Sequence, residues 1–136
     1  TFMQAMQRRG FEVAGVERYS GIAKETSGAA VFDDIEDAVR LAPYDLVTFW
    51  HVLEHLPDPT DALNSVNAIT HCNSVLVIAV PNSKSFAALL MGNAWLHWDV
   101  PRHLFHFDSS SLRSTLHRCG WEMRRQPASE FEYDLM

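Results

Sequence analysis

Three ionisable side chains, His51, Glu54 and His55, fall within one short stretch of the chain. An imidazole titrates near neutrality, so a histidine here could take a proton from a substrate or make contact with one. His51 is the first candidate for that work. Glu54 and His55 carry two readings: substrate-side groups, or a glutamate that caps the next turn and a histidine bonded to backbone. The segment in front of them, Tyr44 to Trp50, runs through β-branched and aromatic residues without strict alternation. That pattern predicts a strand covered on both faces. Pro57 and Pro59 follow almost at once, which excludes a long helix. A buried strand ending in titratable groups points to the carboxyl edge of a parallel sheet, where such folds bind ligands.

A second acid stands in a comparable place. Phe11 to Glu17 reads as a strand that closes on a carboxylate. In dinucleotide-type sites an acid at that position accepts hydrogen bonds from ribose hydroxyls, and lies about 20 residues beyond a glycine-rich turn. Counting back from Glu17 places that turn before Thr1. The alternative is a surface acid at a strand end. Farther on, Trp95, His97, Trp98, His103, Phe105, His106 and Phe107 crowd one irregular stretch. It reads either as a loop packed by its own side chains or as a wall over the substrate, with Asp99 and Arg102 as an internal ion pair.

The elements that must carry these groups alternate. Thr1 caps a helix that Gly10 stops, and the strand ending at Glu17 follows. Ser20 to Ser27 predicts a short exposed helix, Val31-Phe32 a strand, and Ile35 to Leu41 a helix. Asp58 and Pro59 start another helix, with Leu63, Val66 and Ile69 as its buried stripe. Val75 to Val80 is the plainest buried strand. Ser83 to Phe107 is expected to be irregular. Asp108 and Ser109 then cap a helix that Gly120 ends, and Trp121 to Arg124 predicts a last strand. Alternating helices and apolar strands give an α/β fold with a doubly wound, mostly parallel sheet.

Size and charge narrow the function. One domain spanning residues 1–136 is the natural reading of this length. A formal net charge of −6 with scattered basic residues argues against nucleic acid as a partner. No apolar run approaches the roughly 20 residues of a membrane span, and no signal peptide is expected. No membrane association is expected. Cys72 and Cys119 stand apart, without metal spacing or a disulfide framework, which suggests a reduced, cytoplasmic setting.

The motifs taken in order resemble the class I S-adenosylmethionine-dependent methyltransferases. They are Val13-Ala14-Gly15-Val16-Glu17, Asp34-Ile35-Glu36, Tyr44-Asp45-Leu46-Val47 and Leu53-Glu54-His55-Leu56-Pro57-Asp58-Pro59. The resemblance is strongest to the ubiquinone-biosynthesis O-methyltransferase-like branch. It covers nearly the whole chain and implies a Rossmann-like methyltransferase fold. Val80-Pro81-Asn82 and Trp98-Asp99-Val100-Pro101-Arg102-His103-Leu104 are similar to a large set of bacterial members. The resemblance implies that Glu17 holds the cofactor ribose, that Asp34 and Ile35 lie near its adenine, and that Trp50 and His51 lie by its methionine end. It places Glu54, His55, Trp98, Arg102 and His103 on the substrate side. His51 and His103 are the groups to assist deprotonation. Some relatives hold a divalent metal in an acid-rich cluster, but His51 replaces one of those acids, so no metal is expected here.

One family feature is missing from the sequence. The first strand and its Gly-rich turn, which receive the methionine part of the cofactor, have no counterpart, so the fold is expected to be incomplete at the N-terminus. This chain alone is then expected to bind cofactor weakly or not at all. The expected function is methyl transfer from S-adenosylmethionine to a small-molecule acceptor. The alternative is a truncated, non-catalytic binding or assembly module, its open sheet paired in a homodimer. A remote alternative is a zinc metallopeptidase, because His51-Val52-Leu53-Glu54-His55 matches the H-x-x-E-H spacing. That motif needs both histidines on one helical face.

Overall fold

The computed structural model describes residues 2–17 and 28–124. The helix expected over Ser20 to Ser27 lies outside the described residues. The chain divides into two compact units, Thr1–Asp45 with Ser65–Ser74, and Leu46–Asn64 with Val75–Met136.

In the first unit, helix α1 (Phe2–Gln7) leads to strand β1 (Ala14–Val16). Strand β2 (Ala30–Phe32) lies parallel to it, with Ala14, Gly15 and Val16 opposite Ala30, Val31 and Phe32. The Glu17 amide extends the ladder by donating to the Phe32 carbonyl at 2.9 Å. Gly15 is where α1 approaches: a methyl group there would meet Met3 Cε at 3.0 Å. The helical segment expected over Ile35 to Leu41 is found at Glu36–Leu41, wound as a 3₁₀ helix.

The chain then enters strand β3 (Tyr44–Trp50). Helix α2 (Pro59–Ala68) crosses back, and strand β4 (Thr70–Ala79) pairs with β3. The Tyr44 amide donates to the Ile69 carbonyl and the His51 amide to the Ala79 carbonyl, so the two strands run in the same direction. β4 begins earlier than the apolar run at Val75. Its polar start is tied by side chains instead: Ser74 Oγ donates to the Tyr44 carbonyl at 2.7 Å, and His71 Nε2 lies 3.0 Å from Asp45 Oδ1. Burial pushes the Tyr44 phenol up, and its hydroxyl donates to the Ala38 carbonyl.

The second unit holds the larger core. Leu53, Leu63, Phe107, Leu116 and Cys119 are buried together, with Phe49, Leu76, Ile78 and Trp121 packed against them. Fully burying a leucine such as Leu53 or Leu63 contributes about 1.5–3 kcal/mol. Asp58 caps α2 as its sequence predicts, accepting from the Thr60 and Asp61 amides at 2.9 and 3.0 Å. Helix α4 (Ser109–Arg118) opens on a capping box between Asp108 and Ser111. It ends at Gly120, φ 84°, where the Trp121 amide donates to Leu116 and the Gly120 amide to His117, a Schellman closure.

Four expectations need correction. The described strands form two separate two-stranded sheets, not one doubly wound sheet. Each pair spans its own local crossover, and no described strand joins one pair to the other. β3 and β4 are only half-covered, with Leu46, Trp50 and Val75 exposed, because the core fills one face of a two-stranded ribbon. Residues 121–124 are not a strand; the side chains of Trp121 and Met123 pack on the core instead. Inside the stretch expected to be irregular lies a helix, α3 (Phe86–Met91), capped by Ser85 Oγ accepting from the Ala88 amide.

Candidate functional site

Parallel pairing brings two predicted residues to one edge of the first unit. Glu17 leaves β1 and Asp34 follows β2, both beyond the carboxyl ends of their strands and both exposed. Asp34 Oδ1 accepts from the Ile35 amide at 2.6 Å, which fixes the carboxylate against its own backbone. This is the edge where α/β sheets receive ligands.

The second unit gathers the remaining predicted residues around the end of β3. Trp50 is the last strand residue and is 44% exposed. His51 follows with φ 52°, a left-handed conformation that costs a non-glycine residue about 1–3 kcal/mol. That turn aims the imidazole inward: His51 Nδ1 lies 3.3 Å from Glu54 Oε1. Leu53–His55 form a single 3₁₀ turn. Glu54 is 1% exposed, and neither carboxylate oxygen has a hydrogen-bond partner among the described residues. The expectation that its side chain caps the turn is therefore not met, whereas His55 does bond to backbone.

The aromatic stretch supplies the other wall. The Leu104 and Phe105 amides donate to the Glu54 carbonyl at 2.8 and 3.2 Å, clamping the stretch onto the turn. His55 Nδ1 lies 2.9 Å from the Arg102 carbonyl, and His103 Nδ1 lies 2.7 Å from the His97 carbonyl. A carbonyl only accepts, so both Nδ1 atoms carry hydrogen and donate it to these carbonyls. His103 is 9% exposed, and its Nε2 lies 4.0 Å from Glu54 Oε1 and 3.9 Å from Asp99 Oδ2. Arg102 forks onto Asp99, with NH2 to Oδ2 at 2.7 Å. Trp98 Nε1 donates to the Gly92 carbonyl, and His106 Nε2 meets the Trp98 carbonyl at 2.8 Å.

The stretch is thus packed by its own side chains and also borders the buried acid. Arg102 is held outward by Asp99, while His103 turns in. One grouping was not foreseen from spacing: Glu54, His55 and His103 offer ligand atoms within 4.8 Å of one another. His103 returns from far along the chain, so no local pattern could signal it. The helical context of the H-x-x-E-H motif is absent, because His51 lies just past the end of a strand and only one 3₁₀ turn follows.

A family model described as a methyltransferase domain matches residues 1–126. The chain belongs to that family. This methyltransferase domain is also similar to the ubiquinone biosynthesis O-methyltransferase of Aeromonas salmonicida (strain A449), at 27% identity over 73% of this chain and 47% of that protein. The corresponding enzyme of Maricaulis maris (strain MCS10) is 28% identical over 89% of this chain and 54% of its own length. The domain spans about half the length of these curated relatives. Among its described residues, no helix is long and apolar enough to cross a membrane.

Proposed function

We propose that the domain serves methyl transfer from S-adenosylmethionine to a small-molecule acceptor. The observation that carries this reading is the pair of acids, Glu17 and Asp34, at the carboxyl edge of a parallel strand pair in a chain of this family. A carboxylate has two oxygens and can accept from both hydroxyls of a ribose, which is the role given to Glu17. Asp34 and Ile35 take the adenine side. Trp50 and His51 take the methionine and methyl end.

The sulfonium is already a reactive donor, so the residues around it mainly align nucleophile, methyl and leaving sulfur and exclude water. An acceptor hydroxyl must also lose its proton. His51 and His103 are the candidate bases, and the Glu54 carboxylate beside His51 balances the charge an imidazole gains. Oxygen attack is the first acceptor chemistry to try, because the relatives named above are O-methyltransferases.

Equilibrium dialysis with S-adenosylmethionine and its demethylated product tests the reading on the intact protein. Binding is expected, with Glu17→Ala weakening it at least about tenfold, the loss of roughly one charge-assisted hydrogen bond. Failure of the folded, intact protein to bind either ligand overturns the reading.

A further inference from the structure

Helix α3 is built inside out. It buries Ala88 and half-buries Ala87, its two smallest residue types being the inner ones, and turns the large apolar side chains outward. Phe86, Leu89 and Leu90 are 66%, 74% and 73% exposed, and their i, i+3, i+4 spacing sets them on one face. Met91 ends the helix half-exposed, and Leu96 in the turn that follows is 80% exposed. On a globular domain a stripe of that spacing faces the core. Among the described residues, nothing packs over this one.

The patch is tied down at both ends. Ser85, itself buried, caps α3 by accepting from the Ala88 amide at 3.1 Å. Beyond Gly92, the Trp98 indole donates to the Gly92 carbonyl at 2.8 Å. The buried Trp95 ring stands edge to face with Trp98, centroids 5.1 Å apart. An apolar surface already fixed in place loses little conformational freedom when it is covered.

Charge selects what covers it. No Asp, Glu, Lys or Arg stands between Ser85 and Trp98. The charges on either side are matched in place, Lys84 by Asp108 and Arg102 by Asp99. Helices that lie on lipid carry Lys and Arg along the polar face, which six uncharged residues do not supply. A formal net charge of −6 also works against an anionic lipid surface. Two copies of one neutral patch, by contrast, meet without like-charge repulsion. At these exposures the side chains present an area on the order of several hundred Å², comparable to the about 800 Å² that each partner gives a standard interface.

We propose that the outward face of α3, extended by Leu96, is the interface between two copies of this chain, a two-fold homodimer anchored by Phe86, Leu89 and Leu90. This surface differs from the open sheet, where Val75 on β4 is 55% exposed. The assembly stands whether or not the methyl-transfer reading does.

Sedimentation velocity of the intact protein over roughly 1–100 μM, the range in which a micromolar interface dissociates, reads the mass. A dimer is expected to form as concentration rises. Leu89→Glu sets like charges against each other across the two-fold and should weaken association at least about 30-fold. Its circular dichroism and melting temperature should match wild type, because the position is exposed. Phe86→Ser, a second variant, should weaken association in the same direction, and Val75→Ser should not. A monomer at every concentration, a dimer that Leu89→Glu and Phe86→Ser leave intact, or one that Val75→Ser dissociates as readily would each overturn the proposal. So would a monomer that sediments with phosphatidylcholine–phosphatidylglycerol vesicles and loses them on Leu89→Glu, which would make the face a lipid anchor. The readout is mass, so the outcome does not depend on cofactor binding.

Discussion

The two places where this chain sets carboxylates at strand ends are built in opposite ways. At the β1–β2 edge, Glu17 and Asp34 are exposed just beyond the carboxyl ends of their strands. After β3, Glu54 is buried with no hydrogen bond to either oxygen among the described residues, and a strained His51 and the aromatic stretch close around it. An exposed acid can exchange contacts with its neighbours and with water for hydrogen bonds from a ligand. A buried acid spends folding free energy continuously. It is tolerated only where the surroundings are arranged around its charge.

That contrast can be broken from below. Leu63→Ala empties a fully buried position in the core that carries the Glu54 turn, and should cost about 2–5 kcal/mol. Chemical denaturation reads this directly. A loss below about 1 kcal/mol would mean that the core does not support the site as described.

The contrast is sharpened at the acid itself. Glu54→Gln replaces a buried carboxylate that lacks donors among the described residues while keeping its shape, and should stabilise the fold by about 1–3 kcal/mol. A fall in melting temperature would show that the carboxylate has compensation beyond His51 and His103. Glu17→Ala is the matched control: an exposed site should change stability by no more than about 0.5 kcal/mol while cofactor affinity drops. Equal stability changes at Glu54 and Glu17 would erase the distinction between the two regions.

A smaller effect depends on pH. Lys84 hydrogen-bonds Asp108, and the Ser111 amide adds to it, so the Asp108 carboxyl is held down at about 2, below its ordinary value of 3.8. A carboxyl lowered by folding contributes stability that is complete above the unfolded-chain value and lost as pH falls through the folded one. Asp108→Asn keeps a capping side chain but removes the charge. Its melting temperature should lie below wild type at pH 6, with the gap closing between about pH 4 and pH 2. A gap that is constant over that window would assign the stabilisation to the cap alone.

Where the physics is local, the sequence was a good guide. Asp58 and Pro59 start α2, Leu63, Val66 and Ile69 are its buried stripe, and the Asp108 cap and Gly120 stop bracket α4. Where pairing decides, it was not. His71 to Ser74 look like a loop by composition but extend β4, because Ser74 and His71 hold β3 through side chains. Helix α3 escaped notice because six residues are too few to show a period. Its apolar side chains also face outward, Leu89 being 74% exposed. The strand-end acids were visible as residue types at predicted strand ends. That Glu54 meets His103 depends on a return of the chain that no spacing encodes.

The two amides resting on the Glu54 carbonyl have a consequence for anyone who would engineer acceptor choice here. Grafting a foreign segment between residues 99 and 106 would also reposition the backbone donors that seat Leu104 and Phe105 on the acid's own peptide. A transplanted segment must reproduce that stitch, or the replacement will alter the charge centre along with the specificity it was meant to change.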